Sequence, residues 1–328
     1  MLLRKYDSPP ILPMVCMPSY VCIGILTTLN VIIITFSRAE LVTDRLPLFF
    51  FQGVTLLAVF VAARRLLREA DRPKTFLVRL HYLAEGFFFL HISWLNLRIM
   101  NHLSMMVPFP YVDEVLADWD AALHLDWLAY LNAVVSSRIL FQALASSYTS
   151  LTFLSAAVLV ALISFGYIAQ ARKFIEAFLI TALACLIIGA FFPAEAAVLF
   201  LVQDLSIFEP LGWVPGVYHV PYMDVLRSPS GPIVLDPAKL PGLVTFPSFH
   251  TASGVLIIWA CRRTNLSVPA WIYSSVMIAA TPVHGGHYFV DLISGALVAL
   301  MSIWLVTRLH NRSGSAAHFL SVEAEMSV

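Results

Sequence analysis

The stretch HGGHYFVDLISGALVALMSIWLVTRLH, residues 284–310, decides the fold class because it joins a membrane-length apolar run to a polar opening. About 20 apolar residues in a helix cross the hydrocarbon core of a bilayer, and residues 288–308 supply that length. The run nevertheless opens beside His287 and carries Asp291 four residues further on. An ionisable side chain within a spanning helix is costly and points to function. The stretch therefore predicts a membrane helix with chemistry at one end.

The composition of the whole chain is typical of a membrane protein. The 328 residues are 59% hydrophobic and 12% charged, with a mean hydropathy of +0.82, whereas a soluble domain is about 25% charged. Basic and acidic residues balance at 20 each, which excludes a globally basic nucleic-acid-binding protein. The four cysteines lie in or beside apolar runs without metal-ligand spacing, so we expect packing roles for them and no metal.

Eight segments are candidate membrane spans, which predicts an all-α integral membrane protein with about eight transmembrane helices. They lie near residues 19–37, 48–64, 77–97, 148–169, 174–193, 246–261, 268–284 and 288–308. The third is interrupted by polar residues and the sixth is short. We found no internal repeat, whereas transporters often contain inverted repeats. A transporter is therefore kept only as an alternative.

Basic residues mark the loops that stay in the cytoplasm. If all eight spans are real, one side receives Arg4, Lys5, the cations of residues 64–74, Arg172, Lys173, Arg262, Arg263, Arg308 and Arg312. Both termini are then cytoplasmic, and residues 98–147, 194–245 and 285–287 lie outside. Compact size and short loops favour a bacterial inner (plasma) membrane, with the polar openings facing the periplasm or exterior.

Residues 111–131 contain too many carboxylates to form a span. Val115, Trp119 and Leu123 recur there at helical spacing, as an interfacial amphipathic helix requires. A solvated connecting helix is the alternative. We expect three carboxylates of this segment, those of Asp118, Asp120 and Asp126, to form a solvent-exposed helix face. Binding of a polyol headgroup by these carboxylates is a second interpretation.

Two polar openings lie on the same predicted side of the membrane. His287 and Asp291 share one helical face, so the carboxylate is expected to fix the imidazole tautomer and leave one ring nitrogen as nucleophile or base. The other opening is TFPSFHTASG, residues 245–254, where His250 is placed to give a proton to a leaving oxygen. Gly295 continues the His287 face and is expected to allow close helix approach.

A helix N-terminus presents unpaired N–H groups that bind oxyanions such as phosphate. At the start of the sixth span Ser248 adds a hydroxyl to such a site. Arg227, in a segment with few cations, is the first candidate for a phosphate-binding cation, and Lys239 is the second. His284, three residues before His287, is a further candidate.

These motifs resemble those of a known family. FPSFHTA (246–252) and GGHYFVD (285–291) resemble the Pro-Ser-x-His and His-x-x-x-Asp motifs of the type-2 phosphatidic acid phosphatase superfamily. The inositol phosphorylceramide synthase-like, or inositolphosphotransferase, branch is the more similar one. The resemblance covers about residues 110–310. It implies a six-helix membrane core and a His-His-Asp site that uses neither metal nor cofactor.

By the same resemblance, His287 attacks phosphorus and forms a phosphohistidine, Asp291 orients it, and His250 protonates the departing alcohol. The implied organisation is N-terminal transmembrane helices in 1–75, a phosphatase- or phosphotransferase-like core in 76–310 and a flexible cytoplasmic tail in 311–328. The partners are a membrane lipid substrate and an acceptor, which is a small alcohol, a lipid alcohol or water. No nucleic-acid partner is expected, and protein partners are unknown.

Two departures from the family pattern bear on the reaction. Thr281 stands where the family's third motif has an arginine, and the lysine-containing first motif is missing. Fewer cations favour a phosphodiester donor over a dianionic monoester. The sequence thus favours lipid phosphotransfer, with a lipid phosphate phosphatase as the alternative. A non-enzymatic lipid-binding protein is a further possibility.

Overall fold

The chain is described by a computed structural model that covers residues 13–70, 74–228 and 230–326, with side chains described as far as residue 311. Helices dominate it, as the sequence predicts. The helices are α1 (Met17–Phe36), α2 (Leu46–Glu69), α3 (Thr75–Met105), α4 (Asp113–Ala122), α5 (Trp127–Val135), α6 (Arg138–Thr149), α7 (Leu151–Ser164), α8 (Ile168–Phe191), α9 (Ala197–Leu201), α10 (Val220–Arg227), α11 (Phe249–Cys261), α12 (Ser267–His284) and α13 (Phe289–Met326).

Four helices of the described chain are long and apolar enough to cross a bilayer, which supports membrane insertion. They are α1, α2, α8 and the Phe289–Asn311 part of α13. α7 and α11 are apolar but shorter, and α5 with α6 forms a pair bent by 109°. Each of the eight predicted spans coincides with a helix, but the number that crosses the bilayer remains a prediction.

The main apolar core lies among α1, α3, α7, α8, α11 and α13. The largest apolar side chains in it are excluded from solvent, among them Phe89 of α3, Leu159 of α7 and Ile175 of α8. A second cluster joins α4, α5 and α6 to the facing ends of α12 and α13 through Leu116, Trp127, Phe141 and Tyr288. The second cluster therefore lies at the end of the bundle where α13 begins.

The segment between the third and fourth predicted spans is more ordered than an outer loop. It folds into α4, α5 and α6. Side chains cap two of these helices. Asp126 caps α5 by accepting a hydrogen bond from the Ala129 N–H, and Ser137 caps α6 by accepting one from the Leu140 N–H. Such caps satisfy N–H groups that a helix leaves unpaired.

Besides the helices, the fold contains two short strands of three residues each, and the chain as a whole is mostly helical, consistent with the predicted all-α membrane protein. β1 (Ala39–Leu41) and β2 (Ile233–Leu235) pair in parallel, with Ala39 opposite Ile233. They join the α1–α2 connection to the segment of 204–245, which also contains α10 and a 3₁₀ helix at Leu205–Leu211.

At the other end of the chain, the backbone of α13 continues to Met326 through the segment expected to be a flexible tail. The side chains of most of that segment lie outside the described residues.

Candidate active site

The turn that carries His287 joins α12 to α13. Gly286 adopts a φ of +68°, a region that favours glycine, and a Cβ there would collide with the backbone of Gly216. A Cβ on Gly285 would collide with the His287 ring. Both glycines are thus needed for this conformation, in which the imidazole folds back over the turn.

His287 and Asp291 form the pair expected from their spacing. The His287 Nδ1 atom lies 3.2 Å from the Asp291 Oδ2 atom, and both residues are buried. The Tyr288 N–H also donates to this oxygen, at 3.0 Å. With Asp291 ionised, its carboxylate only accepts hydrogen bonds, so in that state Nδ1 carries the proton and Nε2 keeps its lone pair. The geometry therefore provides an oriented nucleophile or base.

The beginning of α11 is fixed to the beginning of α13. The Ser248 N–H donates to the Asp291 carbonyl at 3.0 Å, and a Cβ on Gly295 would collide with the Ser248 carbonyl. The close approach expected at Gly295 is thus present. The Ser248 Oγ atom accepts from the Thr251 N–H and caps α11. Ser248 therefore has a structural role besides any role in phosphate binding.

His250 is the second residue of the same helix and is half-buried. Its ring stacks on Tyr148, with centroids 3.8 Å apart. The Tyr148 hydroxyl lies 3.1 Å from that of Tyr218. His250 and His287 are near enough to interact electrostatically. Helices α11 and α13 thus bring both histidines and the aspartate to one place.

The PAP2 superfamily model matches residues 114–305, more than half of the chain. The chain belongs to the PAP2 superfamily. This membership indicates phosphatase or phosphotransferase chemistry on membrane lipid phosphates, and it confirms the superfamily expected from the two motifs. Neither the curated proteins nor the solved structures gave a match.

In this PAP2 protein the turn that carries His287 is held by two carboxylates of α4, Asp113 and Asp120, which we call the acidic clamp. The Asp120 oxygens accept from the N–H groups of Phe289 and Val290, each at 2.8 Å. Asp113 accepts from the Tyr288 hydroxyl at 3.0 Å. The acidic clamp thereby accepts hydrogen bonds from two backbone N–H groups at the start of α13. It also holds the side chain of Tyr288, the residue next to His287.

Two further bonds support the same turn. The Asp113 Oδ2 atom accepts from the Glu195 N–H at 2.8 Å. The Trp127 indole N–H donates to the His287 carbonyl at 2.9 Å. The sequence interpretation missed these roles, and for Asp120 the expected solvent-exposed face is wrong, since the residue is buried. Asp118 and Asp126 are exposed, as expected.

One sequence signal does agree with this arrangement. Val115, Trp119 and Leu123 lie on the exposed face of α4 and its C-terminal end, whereas Asp113 and Asp120 point inward. The apolar side chains at helical spacing are thus the surface side, as an interfacial helix requires. Composition alone would place the carboxylates of Asp113 and Asp120 in solvent, but they lie on the buried face of α4.

Burial governs the protonation of two histidines of the connecting segments, His287 and His219. It lowers the pKa of His287 to about 4, against a smaller opposing effect of the Thr245 backbone. It likewise lowers the pKa of His219 to about 4, and the His219 Nε2 atom lies 2.6 Å from the Glu195 carbonyl oxygen. Both rings are therefore neutral near pH 7, and a neutral His287 keeps the lone pair that a nucleophile needs.

The residues predicted to bind phosphate fall into two groups. Ser248 and His284 lie with the histidines; His284 is buried, packs against Phe141 and Trp213 and lines the cavity described below. Arg227 and Lys239 do not line that cavity. The Arg227 Nη1 atom donates to the Phe109 carbonyl at 2.9 Å.

The remaining contacts of these two cations also lie away from the histidines. The Arg227 guanidinium lies 4.2 Å from the Tyr111 ring centroid. The Lys239 Nζ atom lies 3.7 Å from Asp236. Their binding of phosphate remains a prediction.

A cavity of about 890 Å³ leads from the candidate site into the helix bundle. Its wall is mainly apolar and comes from α3, α7 and α8, with His250, His284, Tyr148 and Tyr218 at its polar part. Ligand pockets are typically of this size, apolar with a few polar groups. The described residues contain no group of three or more His, Cys, Asp and Glu side chains that could hold a metal ion.

Proposed function

We propose that this protein is a membrane lipid phosphotransferase of the inositol phosphorylceramide synthase type. It moves a phosphorylated headgroup from a phospholipid to an alcohol acceptor. The observation that carries the proposal is the buried pair of His287 and Asp291 beside His250, next to an apolar cavity. Nothing in this arrangement requires a metal or a cofactor.

The proposed reaction has two displacement steps. The His287 Nε2 atom attacks phosphorus, the bond from phosphorus to the lipid alcohol oxygen breaks, and His250 gives that oxygen its proton. The acceptor hydroxyl then gives its proton to His250 and attacks the phosphohistidine, which releases neutral His287. Asp291 stabilises the positive charge that the imidazole gains while it is bonded to phosphorus.

Transfer rather than phosphate release is proposed because the site is poor in cations. Thr281 is fully buried and its hydroxyl donates to the Met277 carbonyl, so this position supplies no charge. A phosphodiester carries one negative charge, whereas a monoester carries up to two near pH 7. The site is therefore better matched to a diester donor, with water as a slower acceptor.

The test compares donors and acceptors with the purified protein in mixed micelles. Phosphatidic acid, or phosphatidylinositol labelled in its phosphate, is supplied with ceramide or diacylglycerol. We expect labelled transfer product from the diester, and an alkali-stable phosphohistidine when the acceptor is omitted. Rapid phosphate release from phosphatidic acid without any transfer product would support the alternative, a lipid phosphate phosphatase.

Variants separate the chemistry from the fold. His287→Ala should abolish both turnover and the covalent intermediate. Its matched control is His310→Ala, which removes a histidine near the other end of the apolar part of α13, where it bonds to Glu176 at 2.8 Å. Full activity of the His287 variant would contradict the proposed mechanism.

We also propose that the site faces the periplasm or exterior of a bacterial plasma membrane, with both termini in the cytoplasm. The distribution of basic loops supports this orientation. Single cysteines introduced near Arg68 and near Ser230, in a background without native cysteines, test it with an impermeant thiol reagent. Labelling near Arg68 from the outside would reverse the topology.

A further inference from the structure

The cavity beside His250 contains a cation that neither family motif includes. Arg98, near the C-terminal end of α3, lines this cavity together with His250, Tyr148 and Tyr218. It is half-buried, and its guanidinium lies over the Trp94 ring, 4.5 Å from the centroid. Arg98 is therefore available at the polar part of the cavity.

Among the described residues, Arg98 has no acidic partner for its charge. Within the described ranges, no carboxylate forms an ion pair with it, whereas the exposed Arg65 pairs with Glu69. A half-buried guanidinium beside a mainly apolar cavity is costly to leave unpaired. An anionic ligand would supply the missing charge, and a planar guanidinium binds phosphate oxygens with two parallel hydrogen bonds.

The neighbours of Arg98 connect it to the candidate site. Arg98 interacts electrostatically with Tyr218, and the Tyr218 hydroxyl lies 3.1 Å from that of Tyr148. Tyr148 in turn stacks on His250. A row of polar groups therefore runs from Arg98 to the proposed general acid along the wall of the cavity.

We infer that Arg98 binds the phosphate group of the lipid substrate and replaces the cation that is absent at Thr281. This inference rests on the proposed function, and it assigns the anion-binding role to α3, outside the segment matched by the family model. A single guanidinium at this place favours a lipid with one negative phosphate charge.

A binding measurement tests the inference independently of turnover. The tryptophan fluorescence of the purified protein, to which Trp94 and Trp213 of the cavity contribute, is titrated with dioctanoyl phosphatidylinositol, a phosphodiester with one negative phosphate charge, and with uncharged dioctanoylglycerol. Arg98→Met should weaken binding of the anionic lipid about 10- to 100-fold and leave binding of the neutral lipid unchanged. Arg98→Lys should fall between, because lysine keeps the charge without the planar fork.

Two arginines serve as matched controls. Arg79→Met removes a half-buried arginine from the same helix, about five turns away from Arg98. Arg227→Met removes the phosphate-binding candidate chosen from the sequence. Both should bind the anionic lipid within about threefold of the unaltered protein, less than one bond to a charged group is worth.

Three results would overturn the inference. They are a larger loss in the Arg227 variant than in the Arg98 variants, an equal loss of both lipids in Arg98→Met, and unchanged anion binding in Arg98→Lys and Arg98→Met. If the Arg98 variants bind poorly as expected while no donor is ever turned over, the anion site stands and the proposed function fails. In assays with turnover, the loss should appear mainly in KM.

Discussion

The two sides of the candidate site are built differently. The turn that carries His287 is held by Asp291, by the acidic clamp and by Trp127, through hydrogen bonds of 2.8 to 3.2 Å. The side that carries His250 faces a cavity of about 890 Å³, where Arg98 has no acidic partner among the described residues.

This difference suggests a division of labour. A nucleophile must be held in place before the substrate arrives, because misplacement by about 1 Å costs much of the rate. The side that binds the substrate gains affinity from polar or charged groups whose partner is supplied by the substrate itself. The predictions below separate the two sides by the kinetic parameter that each one controls.

The largest effect is expected from the acidic clamp. Asp120→Ala removes the acceptor of two N–H groups at the start of α13, so the turn beside it should shift. We expect kcat to fall about 10- to 100-fold with little change in KM. Asp120→Asn, which keeps one acceptor oxygen, should lose less. The measurement is steady-state phosphotransfer in mixed micelles.

Asp126→Ala is the matched control for this prediction. Asp126 also caps a helix, since it accepts from the Ala129 N–H at 2.8 Å, and its loss should cost about 1 kcal/mol of stability. Its kcat should fall less than that of Asp120→Ala, because Asp126 accepts from an N–H group of α5, whereas Asp120 accepts directly from the N–H groups of Phe289 and Val290 beside the turn. Equal losses of kcat in the two variants would mean that Asp120 acts only through stability.

A smaller effect, confined to binding, is expected from the cavity. Ala182→Trp in α8 places a large ring where the cavity is lined, so it should exclude part of a long acyl chain. We expect KM to rise about tenfold for a long-chain donor, with kcat unchanged. A dioctanoyl donor should be affected less.

Ile187→Trp provides the comparison on the same helix. Ile187 is 55% exposed and does not line the cavity. Its kinetics should match those of the unaltered protein. A rise in KM that is independent of chain length in Ala182→Trp would argue against the cavity as the site of the acyl chain.

The last comparison concerns the pH dependence of stability. The pKa of His219 is lowered by burial from 6.5 to about 4, so between these values the unfolded chain binds a proton that the folded protein does not. Stability should therefore fall as the pH is lowered from 7 to 5, by on the order of 2 kcal/mol. Thermal unfolding in detergent at the two pH values measures it.

His219→Gln isolates this contribution. The glutamine amide still donates a hydrogen bond, as the imidazole does toward the Glu195 carbonyl, but it does not titrate. The variant should lose less stability between pH 7 and 5, and should keep the part that comes from His287, whose pKa is shifted in the same direction. An unchanged pH dependence would exclude His219 as a source.

The sequence by itself determined the features that depend on short spacings. Apolar length predicted the helices, since about 20 apolar residues suit a bilayer, and each predicted span coincides with a helix. The i, i+4 spacing predicted the contact between His287 and Asp291, because a helix brings such residues to one face. The two motifs are too far apart in the sequence for a contact between them to be predicted. The sequence predicted only that both lie on the same side of the membrane.

Only the tertiary structure decided what contacts those residues. Asp113 and Asp120 lie more than 160 positions before the turn they hold, and Arg98 lies 152 positions before His250. No local pattern encodes such contacts, since they arise when α4 packs against α13, α6 packs against α12, and α3 packs against α7 and α8. A carboxylate in a helix is expected to face solvent, because a buried charge is tolerated only where N–H or O–H groups donate hydrogen bonds to it. Those donors are identified only in the folded structure.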